Sequence, residues 1–143
     1  MTRKEHRNEG FTLIELMIVL FILGLLAALV APRLMGRVGK AKQKTAQAQI
    51  QLLATALDLF HLDVGRYPTG EEGLKALREK AEGLPTWGGP YLDKAVPNDP
   101  WGRPYLYRFP GAHGPYDLYT LGADGVEGGE GENQDITNWQ SSP

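Results

Sequence analysis

The sequence predicts an α+β protein: a very long N-terminal helix, apolar in its first half and amphipathic in its second, carrying a small C-terminal domain with a short helix and an antiparallel β-hairpin or sheet. Three observations carry this. Residues 11–31 (FTLIELMIVLFILGLLAALVA) are almost wholly apolar, with Thr12 and Glu15 the only polar side chains. Helical periodicity then continues as far as Leu62. After Gly65 the chain becomes rich in Gly, Pro and aromatic residues and contains two alternating segments. A chain of 143 residues suffices for one small domain rather than two.

Composition narrows the function classes. The net charge of −2 gives no reason to expect nucleic-acid binding, which needs a basic face. Cysteine is absent, so no disulfide or thiolate site is possible, and any staple on the glycine-rich second half must be of another kind. His61 and His113 have no second ligand at metal spacing and read as surface or packing residues, and His6 precedes the apolar run. There is no phosphate-binding glycine loop opening a helix and no nucleophile elbow. An enzyme reading has nothing to rest on.

The apolar run comes first in the chain. At about 1.5 Å per residue it spans about 31 Å, the thickness of a bilayer core. A secretory signal peptide fits the basic start (Arg3, Lys4, Arg7), but the run is long for one and Glu15 sits near its beginning. A plain membrane anchor also leaves Glu15 unexplained, because a carboxylate in hydrocarbon costs about 2.5–3.5 kcal/mol. The residues alone leave two readings of Glu15. Either it snorkels to the interface, or it meets a buried cation and so fixes the axial register between helices.

The string Gly10-Phe11-Thr12-Leu13-Ile14-Glu15 resembles the processing site of type IV pilins and pseudopilins. The resemblance implies that residues 1–10 are a leader, removed after Gly10 by a membrane prepilin peptidase that then N-methylates Phe11. It implies that Glu15 pairs with the Phe11 amine of a neighbouring subunit during assembly. It also implies a single-pass protein of the bacterial inner membrane with its C-terminal domain in the periplasm. Charge counting points the other way, since Arg33, Arg37, Lys40, Lys42 and Lys44 follow the apolar run and basic residues favour the cytoplasmic side. That basic stripe reads equally as a solvated face or as one that meets acidic residues of adjacent subunits.

Pro32 joins the apolar segment (11–32) to the amphipathic one (33–63). It removes a backbone hydrogen bond and crowds the preceding turn, which predicts a kink. Gly24 is a weak helix former, so Gly24–Pro32 is the stretch expected to unwind most easily on assembly, as the resemblance also implies. Val38, Ala41, Thr45, Ala48, Leu52, Ala56, Leu59 and Leu62 recur at spacings of 3 and 4 and are expected to carry the globular domain, with Leu53, Leu57 and Phe60 widening the stripe. Gly65 is the expected C-cap.

In the C-terminal domain (64–143), Gly73-Leu74-Lys75-Ala76-Leu77 predicts a short helix over about Glu71–Lys80. Tyr105–Arg108 and Tyr116–Leu121 predict two antiparallel strands joined by the turn Pro110–Pro115. Each motif alone is weak. The order G-x-Y-P-T (65–69), G-L-x-A-L (73–77), W-x-G-P-Y-L (87–92), D-P-W-G-x-P-Y (99–105) and Y-D-L-Y-T-L-G-A-D-G (116–125) resembles the major pseudopilins of type II secretion systems, the general secretion pathway protein G family. The resemblance runs from Gly10 to Trp139 and implies a type IV pilin-like fold. Its expected partners are further copies in a helical filament, minor pseudopilins, the peptidase, an inner-membrane assembly platform and membrane lipid. Such a filament drives folded proteins across the outer membrane. A type IV pilin or minor pseudopilin is the alternative within the class. A single-span anchored calcium-binding domain that never polymerises is the alternative outside it.

Residues 122–135 (GADGVEGGEGENQD) hold five glycines and the acids Asp124, Glu127, Glu130, Glu132 and Asp135. Composition leaves a solvated acidic loop and a hard-cation site both open: clustered carboxylates repel, and Ca²⁺ takes six to eight oxygens. The spacing does not fit an EF-hand. The family resemblance implies Ca²⁺ within a loop spanning 121–139. The matching ligands are the Leu121 carbonyl, Asp124 and Asp135, with a further ligand among Glu130, Glu132 and Asn133.

Overall fold

The computed structural model describes residues 10–140, apart from the side chains of residues 33–35. The predicted leader therefore lies outside the described residues except for Gly10. In chain order the elements are α1 (Leu13–Val64), a 3-10 helix (Gly73–Leu77), β1 (Leu106–Arg108), β2 (Asp117–Thr120), a 3-10 helix (Gly131–Asn133) and β3 (Ile136–Thr137). The chain forms two compact units that divide between Arg37 and Val38.

The first unit is the apolar part of α1. Its large side chains from Phe11 to Val30 are exposed, and α1 is long and apolar enough to cross a membrane, with none of its most apolar window buried. A helix that is apolar all round is suited to hydrocarbon or to other apolar helices. Gly24 and Pro32 both lie inside α1, which is assigned as one helix from Leu13 to Val64. Unwinding at Gly24–Pro32 stays an expectation about the assembled filament.

In the second unit, α1 presents Ala46, Ile50, Leu53, Ala56, Leu57 and Phe60 to the core, all 2% exposed or less. Leu74, Ala76, Leu77, Leu84, Leu92, Tyr105, Tyr116, Leu118 and Ile136 complete it. This corrects the expected face. Of the stripe Val38, Ala41, Thr45, Ala48, Leu52, Ala56, Leu59, Leu62, only Ala56 is buried, and the residues expected merely to widen it carry the domain. Two apolar stripes run along this helix with the same 3–4 spacing, so periodicity cannot choose between them. The one bearing Ile50, Leu53, Leu57 and Phe60 has the larger, unbroken volume to bury. Burying each such side chain is worth roughly 1.5–3 kcal/mol. Phe60 meets Tyr91 edge-on at 5.7 Å. Helix α1 ends as predicted: Gly65 adopts φ 83° and its amide returns to the His61 carbonyl at 2.8 Å.

The helix expected over Glu71–Lys80 is a single 3-10 stretch, Gly73–Leu77. Thr69 and Glu72 form a reciprocal cap ahead of it. The Glu72 amide donates to Thr69 Oγ1 at 3.3 Å, and Glu72 Oε2 accepts from the Thr69 amide at 2.8 Å. Arg66 grips the same carboxylate at 2.7 Å through each of two nitrogens. The predicted hairpin is present: β1 pairs antiparallel with β2, with Leu106 opposite Tyr119 and Arg108 opposite Asp117. A third strand, β3, adds to the other edge of β2, giving the order β1-β2-β3. At only two residues, it was too short to show a period in the sequence. Beneath the sheet, burial raises the Tyr105 and Tyr107 phenols and pushes Tyr116 up to about 12. The Tyr105 and Tyr107 hydroxyls instead donate to Gln49 Oε1 at 2.5 Å and to the Pro68 carbonyl at 2.8 Å.

Candidate functional sites: the helix start and the acidic loop

The first site is local. Thr12 occupies the N-cap of α1: its hydroxyl accepts from the Glu15 amide at 3.3 Å and its carbonyl from the Leu16 amide at 3.1 Å. Glu15 thus falls at the third helical position, where a carboxylate also complements the positive end of the helix dipole. Phe11, 84% exposed, stands one residue ahead of the cap, so cleavage after Gly10 would place its new amine at the helix start. A Cβ built on Gly10 or Gly24 would meet no described atom within 4 Å beyond its chain neighbours and the local helix backbone.

The second site is the loop 121–135, between β2 and β3. Its two ends run side by side, with the Ala123 amide donating to the Glu132 carbonyl at 2.9 Å. The approach requires glycine. A Cβ on Gly122 (φ 67°) would lie 2.8 Å from the Asn133 carbonyl carbon and oxygen. Arg103 clamps the beginning of the loop, donating to the Gly122 carbonyl at 2.7 Å and the Ala123 carbonyl at 2.9 Å. Asp99, buried in the D-P-W-G turn, holds Arg103 in place. Its Oδ1 accepts from the Trp101 and Arg103 amides at 3.0 and 2.8 Å, and its Oδ2 from Thr120 Oγ1 at 2.5 Å. The far end docks on α1, where Gln43 Nε2 donates to the Gly131 carbonyl and the Glu132 side chain occupies the space a Cβ on Gly39 would need.

The predicted ligands are therefore only partly together. Leu121, Asn133 and Asp135 belong to the adjoining ends of the loop. Asp124 Oδ1 is turned onto the Val126 amide at 3.1 Å, Glu132 lies against α1, and Glu130 uses its carbonyl to accept from the Asn133 amide at 3.1 Å. Among the described residues, no three Asp, Glu or His side chains gather at metal-binding spacing. Asp135 is the distinctive group. Its Oδ2 accepts from the Gly128 amide at 2.9 Å, while its Oδ1 is buried with no hydrogen-bond partner. An orphaned carboxylate oxygen is costly, and a hard cation is one partner that would satisfy it. The donor set of carboxylates and loop carbonyls fits such an ion. Sequence reasoning missed Asp99 and Arg103 as organisers of this loop. The Asp-Pro pair at 99–100 was the available signal, since Asp side chains characteristically accept from amides two residues on.

Residues 33–139 match the family described as type II secretion system protein G, and residues 6–31 match the prokaryotic N-terminal methylation motif. Type II secretion system core protein G of Pseudomonas aeruginosa is 48% identical over 141 residues, covering 96% of this chain and 99% of that protein. The Vibrio cholerae protein of the same name is 47% identical, covering 96% and 95%. The crystal structure of the major pseudopilin from the type 2 secretion system of enterohaemorrhagic Escherichia coli matches with a TM-score of 0.60 at 36% identity, covering 76% of this chain and 95% of that one. An apolar, uncovered, Thr-capped helix start with Glu15 in its first turn and a three-stranded domain closed by a glycine-rich acidic loop thus occur in one chain with these relatives: it belongs to the type II secretion system protein G family.

Proposed function

We propose that this chain is the repeating subunit of a type II secretion pseudopilus, cut after Gly10, N-methylated on Phe11, and polymerised into a helical filament that moves folded proteins across the outer membrane. Its role is structural rather than catalytic. The observation that carries the reading is the apolar stretch of α1, uncovered along its length, with a capped carboxylate in its first turn. Such a helix needs hydrocarbon while stored and apolar helices while assembled. A carboxylate there is tolerable when it meets a cation, and the Phe11 amine of the next subunit supplies one. Anchoring in the inner membrane, with the domain in the periplasm, follows from this reading. So do the inner-membrane platform, minor pseudopilins and prepilin peptidase as partners. Glu15→Lys tests it in cells. Filaments should be abolished while the C-terminal domain stays folded, and unchanged filaments would sink the reading.

The same reading gives the loop a calcium ion in the role a disulfide fills elsewhere. Asp135, Asp124 and the Leu121 carbonyl would hold it, with one of Glu130, Glu132 or Asn133. The ion would supply positive charge among repelling carboxylates and satisfy the orphaned Asp135 Oδ1. Calorimetric titration of the full chain in detergent should show Ca²⁺ binding with a rise in melting temperature, lost in Asp135→Ala. No heat and no thermal shift would end this part.

A further inference from the structure

Three consecutive carbonyls open the acidic loop, and the turn Asp99–Arg103 does not engage them equally. The Arg103 guanidinium donates to the Gly122 carbonyl at 2.7 Å and to the Ala123 carbonyl at 2.9 Å. The Leu121 carbonyl is the one of the three that it does not take. On the other side of Leu121 lies Thr120, the last residue of β2, whose hydroxyl donates to Asp99 Oδ2 at 2.5 Å. Leu121 is therefore bracketed: the residue before it is tied to Asp99, and the two after it to Arg103.

The bracket is stiff because its two arms are locked to each other. The Arg103 amide donates to Asp99 Oδ1 at 2.8 Å, and the Arg103 carbonyl accepts from the Asp99 amide at 2.7 Å. Asp99 is 4% exposed, and its carbonyl closes the turn by accepting from the Gly102 amide at 2.9 Å. The loop also wraps close to the guanidinium: a Cβ on Gly125 (φ 71°) would lie 2.9 Å from Arg103 Cζ. A planar guanidinium fixes two successive carbonyls at once, which a single ammonium does not. Two effects on a cation at this loop then compete. The charge of Arg103 repels the ion, while its hydrogen bonds hold a ligand-bearing segment in place. Arg103 is exposed, so water and salt screen the repulsion, and the positioning effect should win.

We propose that Arg103 is a positioning residue for the calcium ion of this loop: it draws off the Gly122 and Ala123 carbonyls and so leaves the Leu121 carbonyl as the one presented to the ion, with Asp99 anchoring both arms of the bracket. The inference rests on the reading of the loop as a calcium site.

The test is calorimetric titration of the full chain in detergent with CaCl₂, alongside thermal melts in chelator. Arg103→Ala should weaken Ca²⁺ binding about 10–100-fold, the usual cost of losing a group that orients a metal ligand. Arg103→Lys should recover only part of that loss, because an ammonium lacks the paired donors. Arg108→Ala removes the same charge from β1, at the opposite edge of the sheet from β3, and should leave the affinity unchanged. A purely structural arginine would lower the calcium-free melting temperature of Arg103→Ala and leave its Ca²⁺ dissociation constant unmoved. That result would overturn the proposal while leaving the calcium site standing. Tighter binding by Arg103→Ala, or an equal loss in Arg108→Ala, would overturn it too, since the charge rather than the hydrogen bonds would then be what the ion senses. No heat from the unaltered chain would overturn the calcium reading, and the role of Arg103 with it.

Discussion

At the scale of single residues, the two stripes of α1 make opposite predictions for one substitution. Leu57 is fully buried, so Leu57→Ala should cost about 2–5 kcal/mol in urea unfolding. Leu52→Ala, on the outward stripe, should stay within about 0.5 kcal/mol. Equal losses would refute the assignment of the core face. Glu72 makes a prediction in pH. The Arg66 guanidinium, helped by the Thr69 amide and hydroxyl, lowers its carboxyl from the ordinary 4.5 to about 2. A carboxyl depressed in the folded state contributes stability that is present above its unfolded value and lost as pH falls through the folded one. Unfolding free energy should therefore fall between about pH 4.5 and 2 in the native chain. Glu72→Gln should be less stable at pH 7 and show a shallower decline across that window, an effect kept modest by solvent screening of the partly exposed Arg66. At Asp117 burial pushes the carboxyl up, but the Ala112 and His113 amides and the His113 ring outweigh it and leave it below its ordinary value.

At the scale of elements, the parts that were legible in the sequence are those with a period or a cap. The end of α1 at Gly65 and the β1–β2 pairing followed from spacing and turn chemistry. The outward turn of the Val38–Leu62 stripe did not, because both faces of that helix are apolar and only the rest of the core decides between them. Strand β3 has two residues and no period at all. Its place is set from a distance: the Asn138 amide donates to the Leu118 carbonyl and its Oδ1 accepts from the Leu118 amide, at 2.9 and 2.8 Å. In the acidic loop, composition marked a segment whose organisers lie in another motif. Asp99→Ala would orphan the Trp101 and Arg103 amides and the Thr120 hydroxyl. We expect a loss of about 3 kcal/mol at the usual cost of unsatisfied buried groups. Arg103→Ala should leave the core intact and speed hydrogen exchange at the Ala123 amide; unchanged exchange there would mean that the clamp is not what orders the loop.

At the scale of the whole molecule, one chain has to suit two solvents. Among the described residues, the large apolar side chains from Phe11 to Val30 are exposed, whereas residues from Val38 onward form a domain with a core of its own. A chain truncated before Val38 should consequently remain soluble and cooperatively folded, while the full chain should partition into detergent or membrane. Aggregation of the truncated chain would show that the domain depends on the apolar segment.

The two-residue strand β3 has a kinetic consequence. Its pairing with β2 closes the loop 121–135, and a glycine-rich loop closes against considerable chain entropy. The register of the C-terminal end rests on Tyr119 facing Thr137 and Thr120 facing Ile136, so this end should be the last part of the sheet to form and the first to come away. Whatever holds the loop closed sets how long the edge of β2 remains covered, and an uncovered edge invites pairing with a foreign strand. The lifetime of that short strand therefore sets how long this sheet stays closed to a foreign strand.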